Sequence, residues 1–118
     1  HLGFAPLSAA ATSLDLSNMA NRWNRALIDN SASNRFTVVE VNALDRPALL
    51  SNLAQALFQS KVTLHSAHIA TYGERAVDTF YITDLFGGKI ENKARLKALE
   101  TRLVEAAAGN LEGEKLVA

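Results

Sequence analysis

From Phe36 to Val41 apolar side chains occupy both phases of a two-residue alternation: Phe36 and Val38 on one face, Val39 and Val41 on the other. The β-branched content predicts a strand, and a strand apolar on both faces is expected to be covered on both. Beyond it, Leu50, Leu53, Ala54 and Leu57 recur at helical spacing, with Pro47 suited to the first turn of that helix, where its missing N–H has no partner to lose. "KVTLHSAHIATY" and "ERAVDTFYITD" alternate again and predict two further strands. Gly73 stands between them as a hairpin residue, and Gly87 with Gly88 closes the second. Leu96, Leu99, Leu103 and Ala106 mark another helix over about Asn92–Ala107, with Gly109 as its stop. Upstream, Leu16, Met19, Ala20, Trp23, Ala26 and Leu27 trace an apolar stripe on a helix that Ser13 or Thr12 would cap and Asp15 would favour. The opening "HLGFAPLSAAATS" has no clear period, and Asp29–Asn34 is a polar turn cluster.

The order strand, helix, strand, strand, helix lacks one strand of the split β-α-β repeat of ferredoxin-like folds. Two segments are able to supply it, "ALIDN" and the terminal "LEGEKLVA". Ala26–Asn30 is preferred, because it stands just before the turn that leads to Phe36 and because "EGEK" is a poor strand former. The expected fold is α+β: a four-stranded antiparallel sheet with two helices on one face, plus an N-terminal helix. The expected organisation is an N-terminal segment over residues 1–25, a compact unit over 26–108 and a tail over 109–118. Two helices cover one face of such a sheet; the other asks for a partner, most simply a second copy of the same unit.

Composition narrows the function. The chain has 118 residues, 48% of them hydrophobic, with 12 basic and 12 acidic side chains. That supports one core and leaves no basic footprint for nucleic acid. The absence of cysteine removes disulfides, thiolate metal sites and a cysteine nucleophile. No apolar run approaches the ~20 residues that span a bilayer, and the first residues make a poor signal peptide. A cytoplasmic location without membrane contact is the expectation. A Gly-rich phosphate loop, a nucleophile elbow and HxxxH or HD pairs are all missing from the sequence.

"VEVNALDRPALLSNLAQAL" followed by "HSAHIATYGERAVDTFYITDLFGGKIEN" resembles an ACT domain. With "IDNSASNRFTVVEV" ahead of it, the match is narrower, to the C-terminal ACT domain of the bifunctional PII uridylyltransferase/uridylyl-removing enzymes of bacteria. It covers roughly Ile28 to Ala107. The resemblance implies a ferredoxin-like ACT fold and a regulatory, non-catalytic role within a nucleotidyltransferase. It also implies sensing of an amino acid, glutamine, in nitrogen regulation. The PII signal protein would then be met only through the full-length enzyme, and a second ACT domain, in the same chain or a homodimer, would pair with this one. No cofactor is implied. Two departures stand out. The family usually has Gly after the Pro of its turn, where this chain has Ala48; and it usually carries a longer basic, proline-containing linker where "RWNR" here runs straight into "ALIDN".

The candidate site lies where the first strand hands over to the first helix. Backbone N–H groups at a helix start favour a carboxylate. Asp45 and Arg46 offer charges to an amino acid's ammonium and carboxylate, and Asn42 offers an amide beside them. Leu44, Pro47, Ala48 and Leu49 complete this side, and His68, Ile69 and Ala70 on the next strand are expected to face it across the paired unit. Glycine at Ala48 is expected to strengthen binding at a modest cost in helix propensity. The plainer reading of the triplet is helix initiation with a surface ion pair, worth at most about 1 kcal/mol.

His65 and His68, three apart on a strand, are expected on opposite faces and so unable to share a metal ion. Asp78 reads as a cross-strand partner, Asp84 as a turn former, and Trp23 as a docking residue. Lys93, Arg95, Lys97, Glu100 and Arg102 read as a solvated helix face. An RNA-recognition-type module shares the ferredoxin-like plan and is the alternative. Phe80 and Tyr81 sit on one strand, but the K/R-G-F/Y-G/A-F-V element of that class is missing.

Overall fold

A computed structural model of the chain describes residues 24–109. Its elements run β1 (Arg25–Asp29), β2 (Thr37–Leu44), α1 (Leu49–Gln59), β3 (Val62–Tyr72), β4 (Arg75–Asp84) and α2 (Lys93–Ala107). The expected N-terminal helix with Trp23 and the terminal "LEGEKLVA" lie outside the described residues. The strands form one antiparallel sheet in the order β1-β2-β4-β3. β2 and β3 both run antiparallel to β4 and therefore parallel to each other, with β4 inserted between them. This is the split β-α-β arrangement, and "ALIDN" takes the edge beside β2, as its position in the sequence suggested.

Alternation decides the two faces. Thr37, Val39, Val41 and Ala43 of β2 are buried, as are Ala76, Asp78, Phe80 and Ile82 of β4. Against them pack Leu49, Leu53, Ala56 and Leu57 of α1 and Leu99, Leu103, Ala106 and Ala107 of α2. Both helices thus cover one face, and Phe36, Val38 and Tyr81 stand on the other. The buried stripe of α1 is rotated from the expected one: Leu50 and Ala54 are exposed, while Leu49 and Ala56 are buried in their stead. Leu50 and Ala54, four apart, flank the helix on the side toward β3.

Glycine places two of the turns. β3 and β4 join through Gly73 and Glu74, with Gly73 at φ 63°, and Gly109 at φ 84° returns its N–H to the Ala106 carbonyl beyond α2. Asn92 caps α2 by accepting from the Arg95 N–H at 2.9 Å. Asp84 is a turn former, its carboxylate accepting from the N–H groups of Phe86 and Gly88 at 2.8 and 2.9 Å.

Candidate functional site

The turn between β2 and α1 is the place where the sequence put its candidate. Asp45 N–H donates to the Glu74 carbonyl at 2.7 Å, which ties the end of β2 to the β3–β4 hairpin. Pro47 does not begin the helix: it sits in the turn, and α1 starts at Leu49. The helix instead enters through Ala48, whose φ of 69° and ψ of 4° are left-handed. From there the Ala48 carbonyl accepts from the Asn52 N–H at 2.9 Å, the first i→i−4 bond at this end. Arg46 turns across to the end of α2, donating from Nη2 to the Ala106 carbonyl at 2.9 Å and from Nε to that of Ala107 at 3.1 Å. A cation there complements the negative pole of α2.

Between this turn and β3 lies an open cleft of about 520 Å³. Asp45, Arg46 and Ala48 form one wall with Leu49, Leu50 and Ser51 of the first turn of α1. Ala54 extends that wall, Ile69 and Thr71 of β3 form the opposite one, and Ala76 and Asp78 of β4 lie beneath. The cleft therefore holds two kinds of charge. The start of α1 and the Arg46 guanidinium favour an anion; Asp45 and Asp78 favour a cation. Burial pushes the Asp78 carboxyl above its ordinary value; a hydrogen bond from the Ala70 N–H opposes this, and the Asp45 charge adds to it.

Of the residues singled out in the sequence, Asp45, Arg46, Ala48, Leu49 and Ile69 meet in the cleft, and Pro47 lies in the adjoining turn. Asn42, Leu44, His68 and Ala70 do not join them. Alternation sends the even positions of β2 to the open face, where Asn42 donates to the Glu40 carboxylate at 2.8 Å and Leu44 stands opposite Arg75. His68 and Ala70 pair with Thr79 and Val77 and share that face; only the Ala70 backbone turns toward Asp78. Sequence reasoning missed Leu50, Ser51, Ala54, Thr71, Ala76 and Asp78 as lining. For Asp78 a signal existed, a carboxylate within the alternation Ala76, Asp78, Phe80, Ile82.

The two histidines share a face after all. A bulge between Leu64 and Ser66 breaks the alternation of β3. His65 then stacks at 5.0 Å on Phe36 while His68 meets Tyr81 at 5.7 Å, and the Phe36 and Tyr81 rings lie 6.1 Å apart. His65 Nε2 is also 2.8 Å from Thr83 Oγ1. No group of three or more His, Cys, Asp or Glu side chains that could hold a metal ion occurs among the described residues. No helix among them is long and apolar enough to cross a membrane.

No protein-family model matches the chain. The bifunctional uridylyltransferase/uridylyl-removing enzyme of Novosphingobium aromaticivorans is 67% identical over 81 residues, which cover 69% of this chain and 9% of that protein. The enzyme of the same name from Zymomonas mobilis is 64% identical over 88 residues, 75% of this chain and 10% of its own. The chain is a homologue of one segment of these enzymes. It spans about a tenth of their length. The relationship reaches the namesake enzyme of Azospirillum brasilense, at 48% identity over 84 residues, 71% of this chain and 9% of that one. Among solved structures, an unknown protein from Galdieria sulphuraria aligns with a TM-score of 0.48 at 22% identity, over 58% of this chain and 39% of that one.

Proposed function

We propose that this chain is the regulatory amino-acid-sensing part of a bacterial uridylyltransferase/uridylyl-removing enzyme, an ACT domain that reads glutamine for nitrogen regulation. In this reading the segment carries no catalysis, works in the cytoplasm, and reaches the PII signal protein only through the full-length enzyme. The observation that carries it is the cleft of the β2–α1 turn, which sets an anion-favouring helix start and Arg46 against the carboxylates of Asp45 and Asp78. A zwitterion fits that division of charge. A wall of Leu49, Leu50 and Ile69 suits its carbon chain. The open sheet face, with Phe36, Val38, Leu27 and Tyr81, is the surface on which a second ACT unit would pack. Isothermal titration of the chain with a panel of amino acids tests the reading. Saturable binding led by glutamine is expected, and no heat with any member overturns it.

A second reading draws on that open face, where Phe36, Tyr81, His65 and His68 form a contiguous aromatic surface of a kind on which single-stranded RNA stacks. The balanced charge weighs against it. Filter retention of single-stranded RNA at low salt separates the two. Tight, salt-sensitive retention would overturn the amino-acid reading.

A further inference from the structure

The Asp78 carboxylate accepts from the Ala70 N–H and is otherwise set in apolar packing. Its cross-strand neighbours are Val41 on one side and Ile69 on the other, so the cross-strand partner that the sequence suggested is a backbone group, the Ala70 N–H on β3, and not a side chain. Its neighbours along the helix-facing row of β4 are Ala76 and Phe80, both buried. Asp78 is itself only 2% exposed. Its Oδ1 is buried with no hydrogen-bond partner among the described residues. A buried acceptor left unpaired costs about 1–3 kcal/mol, and more when charged. The position nevertheless lines the cleft that also contains the start of α1. The Arg46 guanidinium, the nearest cation on that wall, is engaged at the end of α2.

We infer that Asp78 is the residue that recognises the primary ammonium group of the cleft's ligand, with Asp45 at the rim as its second carboxylate. This deepens the amino-acid reading and rests on it. An ammonium brings three donors and a positive charge, enough to satisfy Oδ1 and to relieve the repulsion between Asp78 and Asp45. The ligand's carboxylate then points to the first turn of α1. Leu50 and Ser51 line the cleft there, and their N–H groups precede the first i→i−4 bond of the helix, from Asn52 to Ala48. The charged groups that face Asp78 are Asp45 and Arg46 of the turn. The neighbouring lining from α1 and β3 is Leu49, Leu50, Ser51, Ala54, Ile69 and Thr71, none of them titratable. Binding of a cation therefore favours ionised Asp78, and a ligand arriving at protonated Asp78 displaces that proton to solvent.

The test titrates the 118-residue chain with L-glutamine, with N-acetyl-L-glutamine and with the deaminated amide acid of the same length. It uses wild type and Asp78→Asn, with thermal melts beside them. Wild type is expected to bind glutamine at least tenfold more tightly than either analogue, and Asp78→Asn to lose that preference while melting no lower. Equal affinity of wild type and Asp78→Asn for glutamine overturns the inference and leaves the amino-acid reading standing. If wild type binds none of the amino acids, both fall. The pH dependence of wild-type binding gives a readout independent of the variant's folding. Affinity for glutamine should weaken as pH drops through the raised Asp78 value, and an affinity unchanged across that range overturns the assignment.

Discussion

Ala48 holds a backbone conformation that its own Cβ opposes. A left-handed residue bearing a Cβ costs about 1–2 kcal/mol, and glycine returns about 0.5–1 kcal/mol of that as unfolded-state entropy. The expectation from sequence, that glycine here would weaken the helix, is reversed by φ 69°, because the position precedes α1 and is not inside it. Ala48→Gly should leave stability unchanged or raise it by up to about 1 kcal/mol, a gain of a few degrees in the thermal melt. A lower melt would show that the methyl contributes packing. Asp78 is the other residue under strain, and its effect has a sign. Its pKa is raised above the ordinary 3.8, so the folded state keeps a proton that the unfolded chain gives up between 3.8 and the raised value. The stability from this group is full below the lower bound and is lost as pH rises through the folded value. Asp84 has the opposite sign. The N–H groups of Gly88 and then Phe86 hold it below its ordinary value, so its contribution is present at neutral pH and lost on acidification. Asp78→Asn should therefore melt at or above wild type at neutral pH, with the difference shrinking toward pH 3.8. Calorimetry across that range checks it, and a difference that grows on acidification would contradict it.

At the scale of elements, arginines close the helix ends across the layer. Arg46 bonds the last carbonyls of α2, and Arg95 of α2 reaches the Lys61 carbonyl at 2.8 Å, just past α1. The helix face read as solvated is thus partly engaged, since Arg102 also donates to Gln59 and Lys97 pairs with Glu100. Arg46→Ala should cost about 1–3 kcal/mol, the range for charge-assisted bonds at a helix end. Chemical denaturation reads it, and a loss below about 0.5 kcal/mol would mean that solvent replaces the guanidinium. A second tie joins β1, β2 and the segment before α2. Thr37 is buried; its hydroxyl donates to Asn30 Oδ1 at 2.6 Å and accepts from the Ile90 N–H at 2.9 Å, while Asn30 Nδ2 donates to the Ile90 carbonyl at 2.7 Å. Thr37→Val keeps the shape and leaves two polar groups unpaired, at a cost of about 1–3 kcal/mol. If the same denaturation series shows no loss for Thr37→Val, this tie contributes nothing net.

For the whole molecule, the decisive asymmetry is that, among the described residues, both helices lie on one side of the sheet. The side that no described helix covers carries the aromatic row of Phe36, His65, Tyr81 and His68, with the Arg35 guanidinium 5.0 Å above the Phe36 ring. If a second unit of the same kind packs there, the chain should associate at high concentration. Tyr81→Glu should then return it to monomer without altering the cleft on the other side. Sedimentation velocity on both proteins decides this, and a wild-type chain that stays monomeric at every concentration would count against the pairing.

The sequence by itself determined the element order of the described residues, the two faces of β2, the sheet-facing stripe of α2 and the choice of "ALIDN" as a strand. The first three are carried by local periodicity and the last by its place before the turn to Phe36, and burying one face of every element satisfies them all at once. It also placed the turn at Asp45–Ala48, because a strand end and a helix start are written in neighbouring residues; it set Ile69 across the paired unit, whereas the fold brings the chain's own Ile69 to the cleft. What only the tertiary structure decided depends on register and direction. One extra residue at Leu64–Ser66 moved His65 to the face of His68, and alternation carried Asn42, Leu44 and the side chains of His68 and Ala70 away from the cleft. Arg46 was drawn to a helix end some sixty residues away in sequence, and Asp78 was set between Val41 and Ile69 with an unpaired oxygen. A linear pattern shows which side chains are apolar. It does not show which strand will lie opposite, and an unpaired carboxylate oxygen is defined by what lies opposite it.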